Sequence, residues 1–272
     1  MSRPIEREAA AADAPGGSEE VVASDSRVRE LREALRQVED RVERACLASG
    51  RDRGSVTLIV VTKFFPARDV LALIDLGVAD IGESRDQEAR SKVDQVREQV
   101  GAKAAPAVHM IGQVQTKKAR SIVRYADAVH SLDRTRLVTA LDRASGSAIA
   151  EGERLGPLDV TLQVDLDDGD IERRGGVRPG DAPSLADAIA ATEFLRLRGV
   201  MAIAPAGAAD DKAALVQAFA ALARCHAQIR SSHPTADWLS AGMSGDLEEA
   251  VEVGATHLRV GSAILGSRPT QR

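Results

Sequence analysis

The sequence predicts an α/β fold, and within that class a single (β/α)8 barrel of the TIM type preceded by a helix. Short runs rich in β-branched residues alternate with amphipathic segments along most of the 272-residue chain. This alternation is typical of a parallel sheet whose strands are joined by right-handed helical crossovers. About eight such units in roughly 220 residues suit a (β/α)8 barrel, and a doubly wound open sheet is the alternative.

The chain begins with a segment whose composition predicts disorder. Residues 1–25 are rich in Ala, Gly, Pro, Ser and Glu, which bury too little apolar surface to order a chain. We therefore expect a disordered tail over 1–25 and one barrel domain over 26–272. Ser24 or Asp25 is placed to cap a first helix that continues to about Ser49, with Gly50 as its stop. The apolar residues of this helix recur at helical spacing: Val28, Leu31, Leu35, Val38, Val42 and Ala45.

The strands and helices that follow are assigned from β-branched runs and from helical spacing, respectively. The predicted strands are 56–62, 79–82, 108–111, 128–132, 160–166, 199–203, 238–240 and 258–260. The predicted helical segments between them are 69–76, 86–100, 116–125, 134–150, 183–195, 211–231 and 247–253. The chain ends within about a dozen residues of the last strand, which leaves no room for a full-length eighth helix. We hypothesise that the first helix covers the side of the barrel that this helix would shield.

Composition limits the classes of function. The formal net charge of -5 and an aromatic content of 2% do not favour nucleic-acid binding. No apolar stretch approaches the ~20 residues of a membrane span, and the N terminus has no apolar signal core. Cys46 and Cys225 are too few and too far apart for a metal site or a disulfide framework. We therefore expect a cytoplasmic protein that binds neither nucleic acid nor membrane.

Lys63 is the first candidate functional residue. It closes the apolar, β-branched run 56–62, which reads as a strand buried on both faces. An unpaired ammonium group is costly to bury, so a lysine at the end of such a strand is expected to point into a polar cleft. Burial also lowers the pKa of a lysine, which favours the neutral amine that attacks carbonyl groups. The alternative is a lysine that extends into water.

Two loops after the last two predicted strands are candidates for binding phosphate. The first contains Ser240, Met243 and Ser244, and the second contains Gly261 and Ser262 beside Arg259. Glycine lets the backbone approach an anion closely, serine donates hydrogen bonds, and arginine carries a permanent charge. Phosphate often binds at this place in barrels. Together with Lys63, the two loops indicate a phosphorylated carbonyl compound, and pyridoxal 5′-phosphate has both groups.

At this point the sequence resembles a known family, the pyridoxal phosphate homeostasis proteins, whose fold is like the barrel domain of alanine racemase. The resemblance runs in unbroken order from the first helix to the C terminus. It rests on LIVVTK at 58–63, IGESRDQE at 81–88, HMIGQVQTKK at 109–118, HSLDR at 130–134, LRGVMAI at 197–203, LSAGMSGD at 239–246 and LRVGSAILG at 258–266.

The resemblance implies roles for individual residues. Lys63 matches the family lysine that forms the imine with pyridoxal 5′-phosphate. The other matches to cofactor-binding positions are Ser84, Ser240, Met243, Ser244, Arg259, Gly261 and Ser262, while Met201 is expected either under the cofactor or in the barrel core. Ser84 stands where the family commonly has asparagine, and whether Arg259 faces the phosphate or the pyridine nitrogen stays open.

Three functions are considered. The resemblance implies a non-catalytic carrier that holds the cofactor on Lys63, buffers its free concentration and releases it to apo-enzymes. A monomer is expected, because binding needs no tyrosine-bearing partner domain. The alternative is a cofactor-dependent amino-acid racemase, which needs a second proton-transfer group opposite the lysine. Tyr125 is the only tyrosine in the chain and lies in a predicted helix. A third reading is an aldolase-type barrel that uses Lys63 with Glu83 as its acid–base partner.

Overall fold

The computed structural model describes residues 23–167, 175–208 and 211–268. Within these residues, eight parallel strands form a closed barrel in which β1 pairs with both β2 and β8. The predicted barrel is therefore confirmed, and the open sheet is wrong. The strands are β1 Thr57–Val61, β2 Asp80–Glu83, β3 Ala107–Met110, β4 Ala128–Leu132, β5 Leu158–Gln163, β6 Leu195–Met201, β7 Trp238–Ser240 and β8 His257–Val260.

Helices follow the strands on the outside of the barrel, and the main apolar core lies between the two layers. None of the described helices is both long and apolar enough to cross a membrane. The helices are α1 Asp25–Ala48, α2 Ala67–Asp75, α3 Asp86–Val100, α4 Ala119–Ile122, α5 Thr135–Ala150, α6 Ala182–Ala190, α7 Lys212–Ser232, α8 Leu247–Glu252 and α9 Ser262–Leu265.

The first helix begins at Asp25, the last residue that the composition assigned to the tail. Ser24 caps it by accepting a hydrogen bond from the backbone N–H of Arg27 at 3.3 Å, and Ala23 is already buried. The helix ends before Gly50, whose φ of 66° is readily adopted by glycine. Residues 1–22 of the predicted tail lie outside the described residues.

The first helix also covers the side of the barrel where the last helix, α9, is short. α9 has only four residues, and α1 packs against α8, α9 and α2. Arg27 donates to the Asp69 carboxylate at 2.8 Å and to the Leu265 carbonyl at 3.0 Å. At the other end of α1, Arg41 pairs with Glu248 at 2.8 Å. The first helix is thus held by side-chain contacts to α2, α8 and α9.

The interior of the barrel is polar at its N-terminal end. Alternate residues of a strand face the same side, and the side chains that face inward here are not the usual branched apolar ones. Thr57, Asp80, His109, Trp238 and His257 line a cavity at the N-terminal ends of the strands. The opposite mouth, at the C-terminal ends, is where barrels carry their functional sites.

Candidate functional site

Lys63 reaches the C-terminal mouth of the barrel because it continues the inward-facing positions of β1. Thr57, at the start of this strand, lines the interior cavity, and Ile59, Val61 and Lys63 follow at the same two-residue spacing. Lys63 is half-buried, and its amine makes no hydrogen bond or ion pair with the residues that the structure describes. The side chain is therefore free to react.

The surroundings of Lys63 favour its neutral form. Burial, followed by the positive charge of Arg268, lowers the pKa of the Lys63 ammonium below its ordinary value. Arg259 and Arg85 act in the same direction with smaller effects, and the carboxylate of Glu83 opposes them. A lysine with a lowered pKa has a larger fraction of nucleophilic amine near neutral pH.

The backbone on both sides of Lys63 is held from outside the barrel. The buried Lys92 of α3 donates to the Thr62 carbonyl at 2.8 Å and to Glu83 at 2.6 Å, and the Thr62 hydroxyl also donates to Glu83 at 2.6 Å. The next residue, Phe64, has a φ of 72°, which is unusual for a bulky side chain, and its N–H donates to Glu88. These contacts fix the direction in which Lys63 leaves the strand.

Arg259 lies inside the barrel and is held by two hydrogen bonds. Its side chain is 4% exposed, and it donates from Nη1 to the Ser240 hydroxyl and from Nη2 to the Ala202 carbonyl, both at 2.8 Å. Burial lowers the pKa of the guanidinium to about 10, so it stays cationic at neutral pH. None of the described residues places a carboxylate in hydrogen-bond contact with Arg259, and burying a cation in this way is costly, which indicates a functional role.

Ser240 connects Arg259 to a chain of hydrogen bonds through the barrel. The Ser240 hydroxyl lies 3.0 Å from His130 Nδ1, and His130 Nε2 lies 2.9 Å from His109 Nδ1. His109 Nε2 in turn lies 2.9 Å from the Asp80 carboxylate at the opposite mouth. Burial holds the pKa of His130 well below its ordinary value, so this ring is neutral.

The direction of these hydrogen bonds is fixed at both ends. An arginine can only donate, and an ionised carboxylate can only accept. Arg259 therefore donates to Ser240, the His109 ring donates to Asp80, and the neutral His130 ring donates through one nitrogen and accepts through the other. We call these five residues, Arg259, Ser240, His130, His109 and Asp80, the barrel relay. Ser240 is wholly buried within it, so its described hydrogen bonds support Arg259.

The two glycine–serine loops meet beside Lys63. The Ser262 hydroxyl lies 3.2 Å from the Ser244 hydroxyl, which also accepts from the Ala263 N–H at 3.3 Å. A Cβ atom added at Gly261 would lie 3.2 Å from Val61, two residues before Lys63. The strand order explains this proximity, because β8 closes the barrel against β1. The lysine and the serine hydroxyls therefore share one corner of the mouth.

The remaining predicted site residues lie at the same end of the barrel. Ser84 follows β2 and packs against Gly112, which has no room for a side chain there. Met201 ends β6, is buried and pairs in register with Ser240. Met243 is 37% exposed, in the loop after β7. No group of histidine, cysteine, aspartate and glutamate in the described part of the chain could hold a metal ion.

Sequence reasoning missed the contacts that surround these residues. Neither Lys92 nor Glu88 was singled out, although their spacing of four residues on a predicted helix is a signal for an ion pair, found here at 3.1 Å. The barrel relay has no such local signal, since its five members lie on five different strands. His109 and His130 are both buried within it.

The barrel and its site define a class, which comparison with known proteins identifies. The sequence model of the family "Alanine racemase, N-terminal domain" matches residues 47–269. A solved protein of unknown function from Bifidobacterium adolescentis superposes with a TM-score of 0.80 at 30% identity, covering 89% of this chain and 97% of that one.

Curated relatives narrow the class to one family. The pyridoxal phosphate homeostasis protein of Mycobacterium leprae (strain TN) is 43% identical over 247 residues, 88% of this chain and 93% of the relative. PipY of Synechococcus elongatus PCC7942, solved with PLP bound, superposes with a TM-score of 0.72 at 28% identity, covering 87% of this chain and all of that one. The chain belongs to the pyridoxal phosphate homeostasis protein family.

Proposed function

We propose that this chain binds pyridoxal 5′-phosphate (PLP) in PLP homeostasis and carries it as a Schiff base on Lys63. The observation that carries the proposal is the free Lys63 amine at the same corner of the barrel mouth as Ser244, Gly261 and Ser262. An amine and a group of hydroxyls at one corner of the mouth fit a ligand that has an aldehyde at one side and a phosphate at the other. The PLP-bound structure of PipY supports the same ligand.

Different residues of the mouth bind different parts of the cofactor. When bound, PLP supplies an electrophilic aldehyde and an aromatic ring that can accept electrons. Lys63 provides the nucleophilic amine, and Ser244 and Ser262 donate to the phosphate where Gly261 leaves room. We assign Ser84, Met201 and Met243 to contacts around the ring, on the evidence of their positions at the mouth.

Arg259 supports binding without turnover. The barrel relay holds its guanidinium in place, and we place it against the pyridine nitrogen of the cofactor because it lies within the barrel rather than at the serine hydroxyls. A cation at that nitrogen disfavours its protonation and weakens the ring as an electron sink. The Ser240 hydroxyl orients Arg259 and does not need to touch the cofactor.

The two competing functions, a racemase and an aldolase, each need a proton-transfer group at Lys63. Tyr125 is buried and donates to Asp86 of α3 at 3.3 Å, so this tyrosine is outside the barrel and away from Lys63. The Glu83 carboxylate accepts from Thr62 and Lys92 on the outer face of the sheet. Neither is placed to act as the acid or base of a racemase or an aldolase. We infer a monomeric cytoplasmic carrier that delivers PLP to apo-enzymes.

The test is an absorbance titration of the purified protein with PLP. We expect a visible imine band, which borohydride reduction removes while it fixes the cofactor to Lys63, as read by peptide mass spectrometry. Lys63→Ala should lose the band and keep weak, reversible PLP binding, whereas Lys103→Ala, an exposed lysine, should behave like the unchanged protein. A protein that gives no band with excess PLP would refute the proposal, and turnover in amino-acid racemisation assays would refute its non-catalytic part.

A further inference from the structure

Two arginines from different segments of the chain bring positive charge to the rim of the barrel mouth, where both lie over one phenylalanine ring. Phe64 follows β1, Arg85 follows β2, and Arg268 follows α9. The Arg85 guanidinium lies over the Phe64 ring at 4.9 Å from its centroid, and the Arg268 guanidinium lies over the same ring at 4.5 Å. We call Phe64, Arg85 and Arg268 the arginine rim.

The two arginines of the rim are free to bind an anion. Both are exposed, and neither makes an ion pair with a carboxylate in the part of the chain that the structure describes. Many other arginines do have such partners, for example Arg27 with Asp69 and Arg41 with Glu248. Cation–π contacts with Phe64 hold both guanidiniums while leaving their N–H donors available.

The ring that carries these arginines is itself firmly placed. Phe64 has a φ of 72°, a conformation that persists in a bulky residue only when its surroundings enforce it. Its N–H donates to the carboxylate of Glu88, which in turn pairs with the buried Lys92 at 3.1 Å. The rim is also close to Lys63, since Arg268 and Arg85 both lower the pKa of that amine.

We propose that the arginine rim captures the anionic phosphate of PLP and guides it to Lys63 and the serine corner. This inference rests on the proposed function and adds a loading step to it. Two exposed cations at a concave mouth raise the local concentration of an anionic ligand and its association rate. Arg85 and Arg268 then act before the Schiff base forms, whereas Gly261, Ser244 and Ser262 hold the phosphate afterwards.

The test measures loading rates of cofactor-free protein by stopped-flow absorbance with PLP and, in parallel, with pyridoxal, which lacks the phosphate. The ratio of the two association rate constants isolates the contribution of the phosphate, because the protonation state of Lys63 affects both aldehydes equally. At low salt, the double variant R85Q/R268Q should lower this ratio about tenfold, and added salt should reduce the difference from the unchanged protein.

Further variants separate the rim from general effects of charge. Arg224→Gln removes one exposed positive charge on α7 and should leave the ratio unchanged. Phe64→Leu keeps an apolar side chain without the ring and should lower the ratio in the same direction as R85Q/R268Q. The pH profile of pyridoxal loading should move to higher pH in R268Q, since a cation that lowers the pKa of Lys63 is removed.

The outcomes that contradict the proposal are distinct. An unchanged ratio in R85Q/R268Q at low salt would overturn it, and so would a faster release of PLP with an unchanged association rate, which would place the arginines on the bound phosphate. Failure of the unchanged protein to load PLP at all would instead refute the proposed function.

Discussion

Ser240 illustrates how a single hydroxyl can set the geometry of a buried cation. It accepts from Arg259 at 2.8 Å and lies 3.0 Å from His130, so it joins a guanidinium to a neutral imidazole. The backbone carbonyl of Ala202 is the other described partner of Arg259. Among the described residues this buried charge has two hydrogen-bond partners, so the loss of either leaves donors without acceptors, which costs more than a hydrogen bond contributes.

We therefore expect Ser240→Ala to lower the free energy of unfolding by about 1–3 kcal/mol. The measurement is urea denaturation followed by circular dichroism. Ser145→Ala is the matched control, because Ser145 is also a wholly buried serine but its hydroxyl has no partner among the described residues. It should cost far less, and equal losses for the two variants would contradict the role given to Ser240.

At the scale of elements, α3 fixes the ends of β1 and β2 through one buried lysine. Lys92 is 5% exposed and contacts Thr62, Glu83 and Glu88. Burial raises the pKa of Glu83, while Lys92 and the Thr62 hydroxyl oppose this shift. Removing one partner of a buried ion pair is strongly destabilising because the other charge is left uncompensated.

Lys92→Met should accordingly lower the free energy of unfolding by about 3–5 kcal/mol. Adding Glu83→Gln should recover part of this loss, because it neutralises the buried carboxylate that is left without its cation. Chemical denaturation of the four proteins of this double-mutant cycle measures the coupling. Arg90→Met, on the same helix with a 3.9 Å surface pair to Asp94, should cost less than about 1 kcal/mol. A loss that Glu83→Gln does not reduce would contradict the pairing.

The boundaries of β1 and β6 show which strands the sequence predicts well and which it does not. The boundaries of β1 were predicted within one residue, because a β-branched run buried on both faces has a clear pattern. β6 begins at Leu195, four residues before the predicted start. Arg196 and Arg198 interrupt its apolar run, so the sequence pattern of these residues does not indicate a buried strand. Arg196 pairs with Asp159 on β5, and such cross-strand pairs are not encoded in local spacing.

The positions of the main candidate site residues could be predicted from the sequence for a similar reason. Lys63, Gly261 and Ser262 follow strands directly, so the fold alone brings them to one mouth, and the closure of β8 on β1 explains their proximity. The barrel relay and the arginine rim depend on residues far apart in sequence, for example His130 and Ser240, which are 110 positions apart. Contacts of this kind follow from packing, which a single sequence does not specify.

At the scale of the whole molecule, α1 completes a barrel whose last helix is short. Removing residues 1–51 would expose the apolar surface under Leu31, Val38 and Val42 and leave the buried Asp69 without Arg27. The free energy of unfolding of a domain is typically about 5–15 kcal/mol. The loss of a helix interface, together with an unpaired buried charge, would remove much of this free energy.

We expect a protein that starts at Asp52 to melt at least about 10 °C below the full chain, or to be unfolded at 25 °C, as read by calorimetry and by dye binding to exposed apolar surface. A protein that lacks only residues 1–22 is the control and should melt like the full chain, because the described contacts of α1 all begin after that segment. Arg27→Met keeps the chain intact and should lower the melting temperature through the loss of its contacts with Asp69 and Leu265. Unchanged melting of the shortened protein would mean that the barrel does not need α1, and that its eighth unit is closed by α9.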